Sequence, residues 1–143
     1  MEGITLNTFI GYRLKNNLPR PSKDDLRNIS DQEWFDVFKQ EFWDDLRADE
    51  INNQSDANLA IDWFWMSWHA ASKGIQRTVG VYPDGEIGDE SIAAINAMDP
   101  EELFHAMKAA RIAYYETIIR KNPHLETFRD GWTNRLNDYT YEP

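Results

Sequence analysis

The sequence predicts an all-α protein. Apolar residues recur three and four positions apart along nearly the whole chain, no stretch alternates polar and apolar for the length of a strand, and helix start and stop signals punctuate it throughout. The 143 residues include no cysteine, 7 glycines and 6 prolines, which excludes collagen-like, disulfide-framework and low-complexity classes. A chain of this length buries roughly 70% of its extended surface, so stability calls for no cofactor, and no linker composition divides the chain.

The first helix runs from Thr5 to about Lys15 on Leu6, Phe9, Ile10 and Leu14, and Leu18-Pro19-Arg20-Pro21 stops it because a proline bars helical angles in the residue before it. Ser22-Lys23-Asp24-Asp25 caps a single turn. Ser30-Asp31-Gln32-Glu33 reads as a capping box, opening a helix whose Trp34, Phe35, Phe38, Phe42 and Leu46 form one apolar stripe. Residues 49–55 are polar and read as a loop. From Asp56 to about Trp68 the chain is so aromatic that no wet face remains, which predicts a central helix surrounded by others.

A helix from about Ala70 to Val79 then leads into Tyr82-Pro83-Asp84-Gly85-Glu86-Ile87-Gly88-Asp89, a compact turn in which glycines supply unusual backbone angles. Glu90–Ala97 forms a short helix. Asp99-Pro100-Glu101-Glu102 opens the longest one with an N-cap, a first-position proline and early acidic residues. Leu103, Phe104, Met107, Ile112 and Tyr115 are on its packed side, and Arg111, Arg120 and Lys121 fall toward its end before Asn122-Pro123 terminates it. A brief helix within His124–Leu136 and a frayed polar tail complete the reading.

Charge narrows the partners. With 25 Asp+Glu against 15 Lys+Arg the formal charge is −10, the wrong sign for phosphate-rich nucleic acid or an anionic membrane surface. No apolar run reaches the roughly 18 residues of a membrane span, and Met1-Glu2-Gly3-Ile4-Thr5 lacks the basic and apolar regions of a signal peptide. As written, the chain has no export address and reads as cytoplasmic.

Metal chemistry finds no support, since His69, His105 and His124 are widely separated and cysteine is absent. The Asp84–Asp89 segment lacks the ligand spacing of a calcium loop, and turn chemistry accounts for it. There is no Gly-x-Ser-x-Gly elbow and no phosphate-cradling loop. Carboxylate acid–base work remains open, because glycoside hydrolysis needs only one or two Asp or Glu in suitable surroundings. Asp62 stands out as a carboxylate inside the most apolar helix; such a group must be paired, hydrogen-bonded or facing a cleft. Trp43 and Trp63 are the best candidates for aromatic sugar platforms, set against the ordinary reading of such residues as core.

Taken in order, several stretches resemble glycoside hydrolase family 108, lysozyme-like N-acetylmuramidases with an appended peptidoglycan-binding-like half. Gly3-Ile4-Thr5 followed by Phe9, and Phe42-Trp43, resemble two of its steps; Asp62-Trp63 opens the segment that in the family reads Asp-x-x-x-Asn-Ser-Gly. Ile75-Gln76 through Val81, Asp84-Gly85-Glu86-Ile87-Gly88 and Ile92 through Asn96 resemble its Leu-Gln-x-x-x-Gly-Val, Asp-Gly-x-x-Gly and Leu-x-x-Ile-Asn block. Phe128, Gly131, Trp132, Asn134 and Arg135 resemble its closing motif. The resemblance implies a single all-α, lysozyme-like domain with a lysozyme-like part over 1–69 and a peptidoglycan-binding-like part over 70–143, acting on cell-wall glycan with the cell wall or periplasm as site of action.

It also implies a general-acid glutamate in a Glu-Gly-Gly motif upstream of the Gly-Ile-Thr step. Here only Met1 and Glu2 precede Gly3, so the chain reads as N-terminally truncated and Glu2 as wrongly placed for that role. Met66 and Trp68 stand where the family pattern has Asn and Gly. The expected catalytic set within the chain is therefore empty, and Thr5, Trp43, Asp62 and Trp63 are the expected glycan-contacting residues, with Arg135 pairing an acidic neighbour. A missing first helix would leave an exposed N-terminal face through which copies of the chain self-associate. The functional alternatives are an inactive or weakly active muramidase, a non-catalytic peptidoglycan-binding module and a secretion-assisting interaction protein.

Overall fold

The computed structural model describes residues 3–143 and is helical throughout; no strand occurs among the described residues. The eight α-helices found there fall into two compact units, one ending at Asp45 and the other running from Leu46 to Pro143. The junction expected at residues 69 and 70 falls inside the second unit.

In the first unit, α1 (Leu6–Lys15) starts at Thr5, whose hydroxyl accepts from the N–H of Thr8. Helix α2 (Lys23–Arg27) is the single capped turn that the sequence predicts, with a reciprocal box between Ser22 and Asp25. Helix α3 (Asp31–Phe38) is capped by Ser30, but only half of its box forms. Instead of reaching back to Ser30, the Glu33 carboxylate pairs with Arg13 on α1 at 2.9 Å, and a charge-assisted bond outcompetes a neutral one.

The expected continuation of α3 to Leu46 is corrected as well: after Phe38 the chain makes one π-helical turn, Lys39–Trp43. A ladder of rings runs along α3 into that turn. Trp34 stacks on Phe38 at 5.7 Å, and Phe38 on Phe42 at 6.1 Å. Phe9, Val37 and Phe42 are buried, and Lys15–Glu41 and Asn16–Gln40 join α1 to the π turn.

In the second unit a 3-10 turn, Ala48–Glu50, leads to α4 (Gln54–Ser67), capped by Asn53. Helix α4 is buried from Asp56 through Phe64 except at Asn58, as its composition predicts. It packs against α5 (His69–Val79) and α7 (Pro100–Lys121), which also pack on each other. Helix α6 (Asp89–Ala97) lies against α5. A 3-10 turn, Pro123–Phe128, leads to α8 (Arg129–Asn137) on α7. The close meeting of α4 and α5 requires Gly74: a Cβ there would stand 2.4 Å from the Trp63 ring.

Two further expectations are corrected. Ile112, expected on the packed side, is 43% exposed, while Arg111, grouped with Arg120 and Lys121 toward the helix end and not with the packed side, is fully buried. The tail is not frayed: Glu142 N–H donates to the Ser55 hydroxyl at 2.8 Å, the Glu142 carbonyl accepts from Asn53 at 3.2 Å, and Tyr141 lies edge-on to Phe104 at 5.7 Å. The tail therefore covers the first turn of α4.

Candidate functional site

The chemistry-bearing side chains of the second unit gather around α4. Asp62 is 6% exposed and grips two arginines. One is Arg111 of α7, whose NH2 donates at 2.7 Å; the other is Arg135 of α8, whose NH2 donates at 2.7 Å and whose Nε is shared between the two carboxylate oxygens at 3.1 and 3.3 Å. Arg111 also donates through Nε to the Tyr115 hydroxyl at 2.5 Å, while its NH1 is buried without a partner. Burial pushes the Asp62 pKa up, but hydrogen bonds and charge from Arg135 and Arg111 outweigh it and hold the carboxyl below its usual range. Asp62 is thus an anion held by two cations, an arrangement that clamps three helices. The expected pairing of Arg135 with an acidic neighbour is met.

The sequence reading missed Arg111, although a signal was present. Phe104, Met107, Arg111, Tyr115 and Ile119 recur at helical spacing and are all buried, so the arginine stands on the packed stripe, and Asp62 is the buried carboxylate that lacked a partner.

The Gln76 to Asn96 block has a structural logic. Gln76 is 1% exposed and organises the loop behind it. Its Oε1 accepts from Gly85 N–H at 2.9 Å, and its Nε2 reaches Asp84 at 2.9 Å, the Glu86 carbonyl at 2.9 Å and Ser91 at 3.1 Å. Asp84 in turn accepts from Glu86 N–H at 2.9 Å. Gly85 has φ +88, which an L side chain rarely adopts. Asn96 closes the other side, donating to the Glu50 carbonyl at 2.7 Å and accepting from Asn52 N–H at 3.0 Å. The block builds a loop, as turn chemistry predicts.

Asp56 is the second buried carboxylate of α4. It is 1% exposed, and its Oδ1 has no hydrogen-bond partner. It borders a cavity of about 70 Å³ together with Asn52, Asn53 and Asn96. Burial first, and then the charge of Asp99, push its pKa up to about 7.

Trp68 joins α4 to α5 at φ +49, ψ −123, a region that favours glycine, the residue the resemblance puts there. A side chain in such a conformation costs about 1–3 kcal/mol; here the ring is partly compensated by contact with Phe64 at 5.5 Å and His69 at 6.2 Å. Once the ring is removed only the backbone matters. Trp68→Gly is expected to be more stable than Trp68→Ala by about 1 kcal/mol or more, the reverse of the usual order in helical proteins. Urea unfolding of the two variants gives the sign, and an alanine variant equal to or above the glycine one refutes the strain.

The four expected glycan-contacting residues divide between the units. Thr5, exposed, caps α1, and Trp43, half-buried, ends the π turn that packs on α1; both belong to the first unit. Asp62 and Trp63 belong to the second, where Trp63 is 1% exposed. Glu2 lies outside the described residues, as does any expectation about its placement. Among the described residues no group of three or more acidic or histidine side chains could hold a metal, and no helix is long and apolar enough to cross a membrane.

Comparison with known proteins follows the chain in two steps. The family described as Glycosyl hydrolase 108 matches residues 1–67, and the family described as Predicted Peptidoglycan domain matches residues 70–137. The two meet where α4 turns into α5. Among solved structures the chain is similar to SagA of Brucella abortus, with a TM-score of 0.78 and 25% identity over 96% of this chain and 74% of that one. No curated protein sequence matches it.

Proposed function

We propose that the chain engages the glycan of the bacterial cell wall, with Thr5 and Trp43 of the first unit as contacts, because residues 1–67 match the family described as Glycosyl hydrolase 108 and residues 70–137 the family described as Predicted Peptidoglycan domain. The observation that carries this reading is the unbroken succession of the two family regions over residues 1–67 and 70–137. The all-helical fold and the likeness to SagA support it.

Within these 143 residues no Glu-Gly-Gly sequence occurs, and the buried carboxylates offer no substitute. Asp62 is held ionised by two arginines and cannot donate a proton near neutral pH; Asp56, its pKa pushed up to about 7, holds a proton only part of the time there and is closed off at 1% exposure. A positioned general acid contributes about 10²–10⁴-fold, so a polypeptide of residues 1–143 binds wall material and cuts it slowly. Self-association belongs to the same reading, since Leu14, Leu18 and Phe35 of the first unit are exposed apolar side chains.

Co-sedimentation with insoluble peptidoglycan tests the proposal. The chain is expected in the pellet, with binding weakened about tenfold by Trp43→Ala, in line with the loss of an aromatic contact. The wall-free control run at rising protein concentration reads self-association. Rapid clearing of a wall suspension by residues 1–143 alone overturns the claim of slow cutting, and a chain left entirely in the supernatant overturns binding.

A further inference from the structure

The face between α5 and α7 holds a crevice of about 410 Å³, separate from the Asp62 clamp. It stays open because its sides are small: three alanines (70, 110 and 113) leave space that larger side chains would fill, and Gly74 lines it beside them. Trp63 lies beneath it, and Arg77, Thr78, Tyr114 and Thr117 complete its lining. In a chain with 25 acidic residues, none lines this hollow.

Each polar group there has a defined hydrogen-bonding capacity. Arg77 is exposed and has no carboxylate partner among the described residues, so its guanidinium is available for an anion. The Thr78 hydroxyl donates to the Gly74 carbonyl at 2.8 Å and the Thr117 hydroxyl to the Ala113 carbonyl at 2.9 Å. Both hydroxyl protons are therefore committed, which leaves two oxygens as acceptors for N–H donors. The Trp63 indole N–H is buried and meets no acceptor, an unusual state for a native polar group. Tyr114, half-buried and 6.3 Å from Trp63 between ring centres, adds an aromatic wall.

We propose that this crevice binds an N-acylated, carboxylate-bearing unit of the wall polymer, with Arg77 taking the carboxylate, Thr78 and Thr117 accepting from its amide N–H groups, and Tyr114 covering its apolar face. This rests on the peptidoglycan reading and names the part of the polymer recognised. Two parts of that polymer share the chemistry: a muramic acid with its lactyl carboxylate free, and the acidic residues of the peptide stem. Fork-like pairing of a guanidinium with a carboxylate gives such a site both strength and geometry.

Isothermal titration of residues 1–143 with three probes separates the cases: N-acetylmuramic acid, the stem tripeptide L-Ala-γ-D-Glu-diaminopimelate, and neutral N-acetylglucosamine. One acidic probe is expected to bind at least tenfold tighter than N-acetylglucosamine, and which one identifies the source. Arg77→Gln, at an exposed position and with its fold checked by circular dichroism, is expected to abolish that preference. Ala113→Phe, which fills the crevice, is expected to abolish binding of the acidic probe. The preference should also shrink between 50 and 500 mM salt, as roughly expected of an exposed ion pair.

An acidic-probe preference that survives Arg77→Gln, or binding indifferent to Ala113→Phe, overturns the proposal. Co-sedimentation keeps this distinct from the broader reading. Wild type in the pellet with no acidic-probe preference fails the crevice alone, whereas wild type in the supernatant fails the peptidoglycan reading itself.

Discussion

Replacing Asp62 by asparagine is expected to cost about 3–5 kcal/mol of unfolding free energy, the magnitude typical of breaking a buried ion pair from one side. The loss comes less from the missing attraction than from what remains. Arg111 is fully buried and its NH1 already lacks a partner; without the Asp62 carboxylate the guanidinium keeps only the Tyr115 hydroxyl as a hydrogen-bond acceptor. Arg135 is the less costly end of the clamp. Its side chain is 46% exposed, so water replaces much of what Asp62 gives it, and Arg135→Gln is expected to cost about 1 kcal/mol or less. Urea unfolding of both variants, followed by far-ultraviolet circular dichroism, gives the comparison. An Asp62→Asn variant within about 1 kcal/mol of wild type would show that the clamp is ornamental.

The same residues show how far the sequence could be read. Helix positions followed from periodicity and caps because both are local: Thr5, Ser22, Ser30 and Asp99 each accept a backbone N–H where the sequence predicts a helix start. What failed was competition with distant groups. Glu33 abandons its own cap for Arg13, twenty residues away in the chain. The π turn at Lys39–Trp43 interrupts a stripe whose spacing over Trp34, Phe38 and Phe42 reads as one uninterrupted α-helix. The tail is held by Ser55 and Asn53 across 87 and 89 positions.

At the site, Asp62 was legible as a carboxylate needing a partner, but its second role as a substrate contact has no geometric support in a side chain 6% exposed. Arg111 was missed because its partner Asp62 lies 49 positions away in the chain. Trp68 was legible only as a mismatch with the family pattern, and its φ of +49 supplies the physical meaning of that mismatch.

Asp56 should give the protein a stability that falls as pH rises, opposite in sign to the contribution of Asp62 six residues later. An unfolded aspartate titrates near 3.9, whereas the buried Asp56 is pushed up to about 7. Between those values the folded state binds a proton that the unfolded state has released, so stability declines from about pH 4 to about pH 7 and then levels off. At 1.36 kcal/mol for each unit, the decline amounts to about 4 kcal/mol. The helix dipole does not reverse it. Asp56 stands in the first turn of α4, where a negative charge gains about 0.3–1 kcal/mol, several times less than burial costs.

Asp62, with its pKa lowered, contributes stability that is fully present above about pH 4 and is lost as pH falls below it. The two carboxylates together predict a maximum on the acid side of neutrality. Thermal melts of wild type at pH 5 and pH 8 should show the lower midpoint at pH 8. Asp56→Asn, which keeps the shape and removes the charge, should narrow that difference and raise the pH 8 midpoint above wild type. If the wild-type midpoints coincide, or the asparagine variant melts lower at pH 8, then Asp56 is ionised at no cost and the packing of the tail over α4 must be looser than its hydrogen bonds indicate.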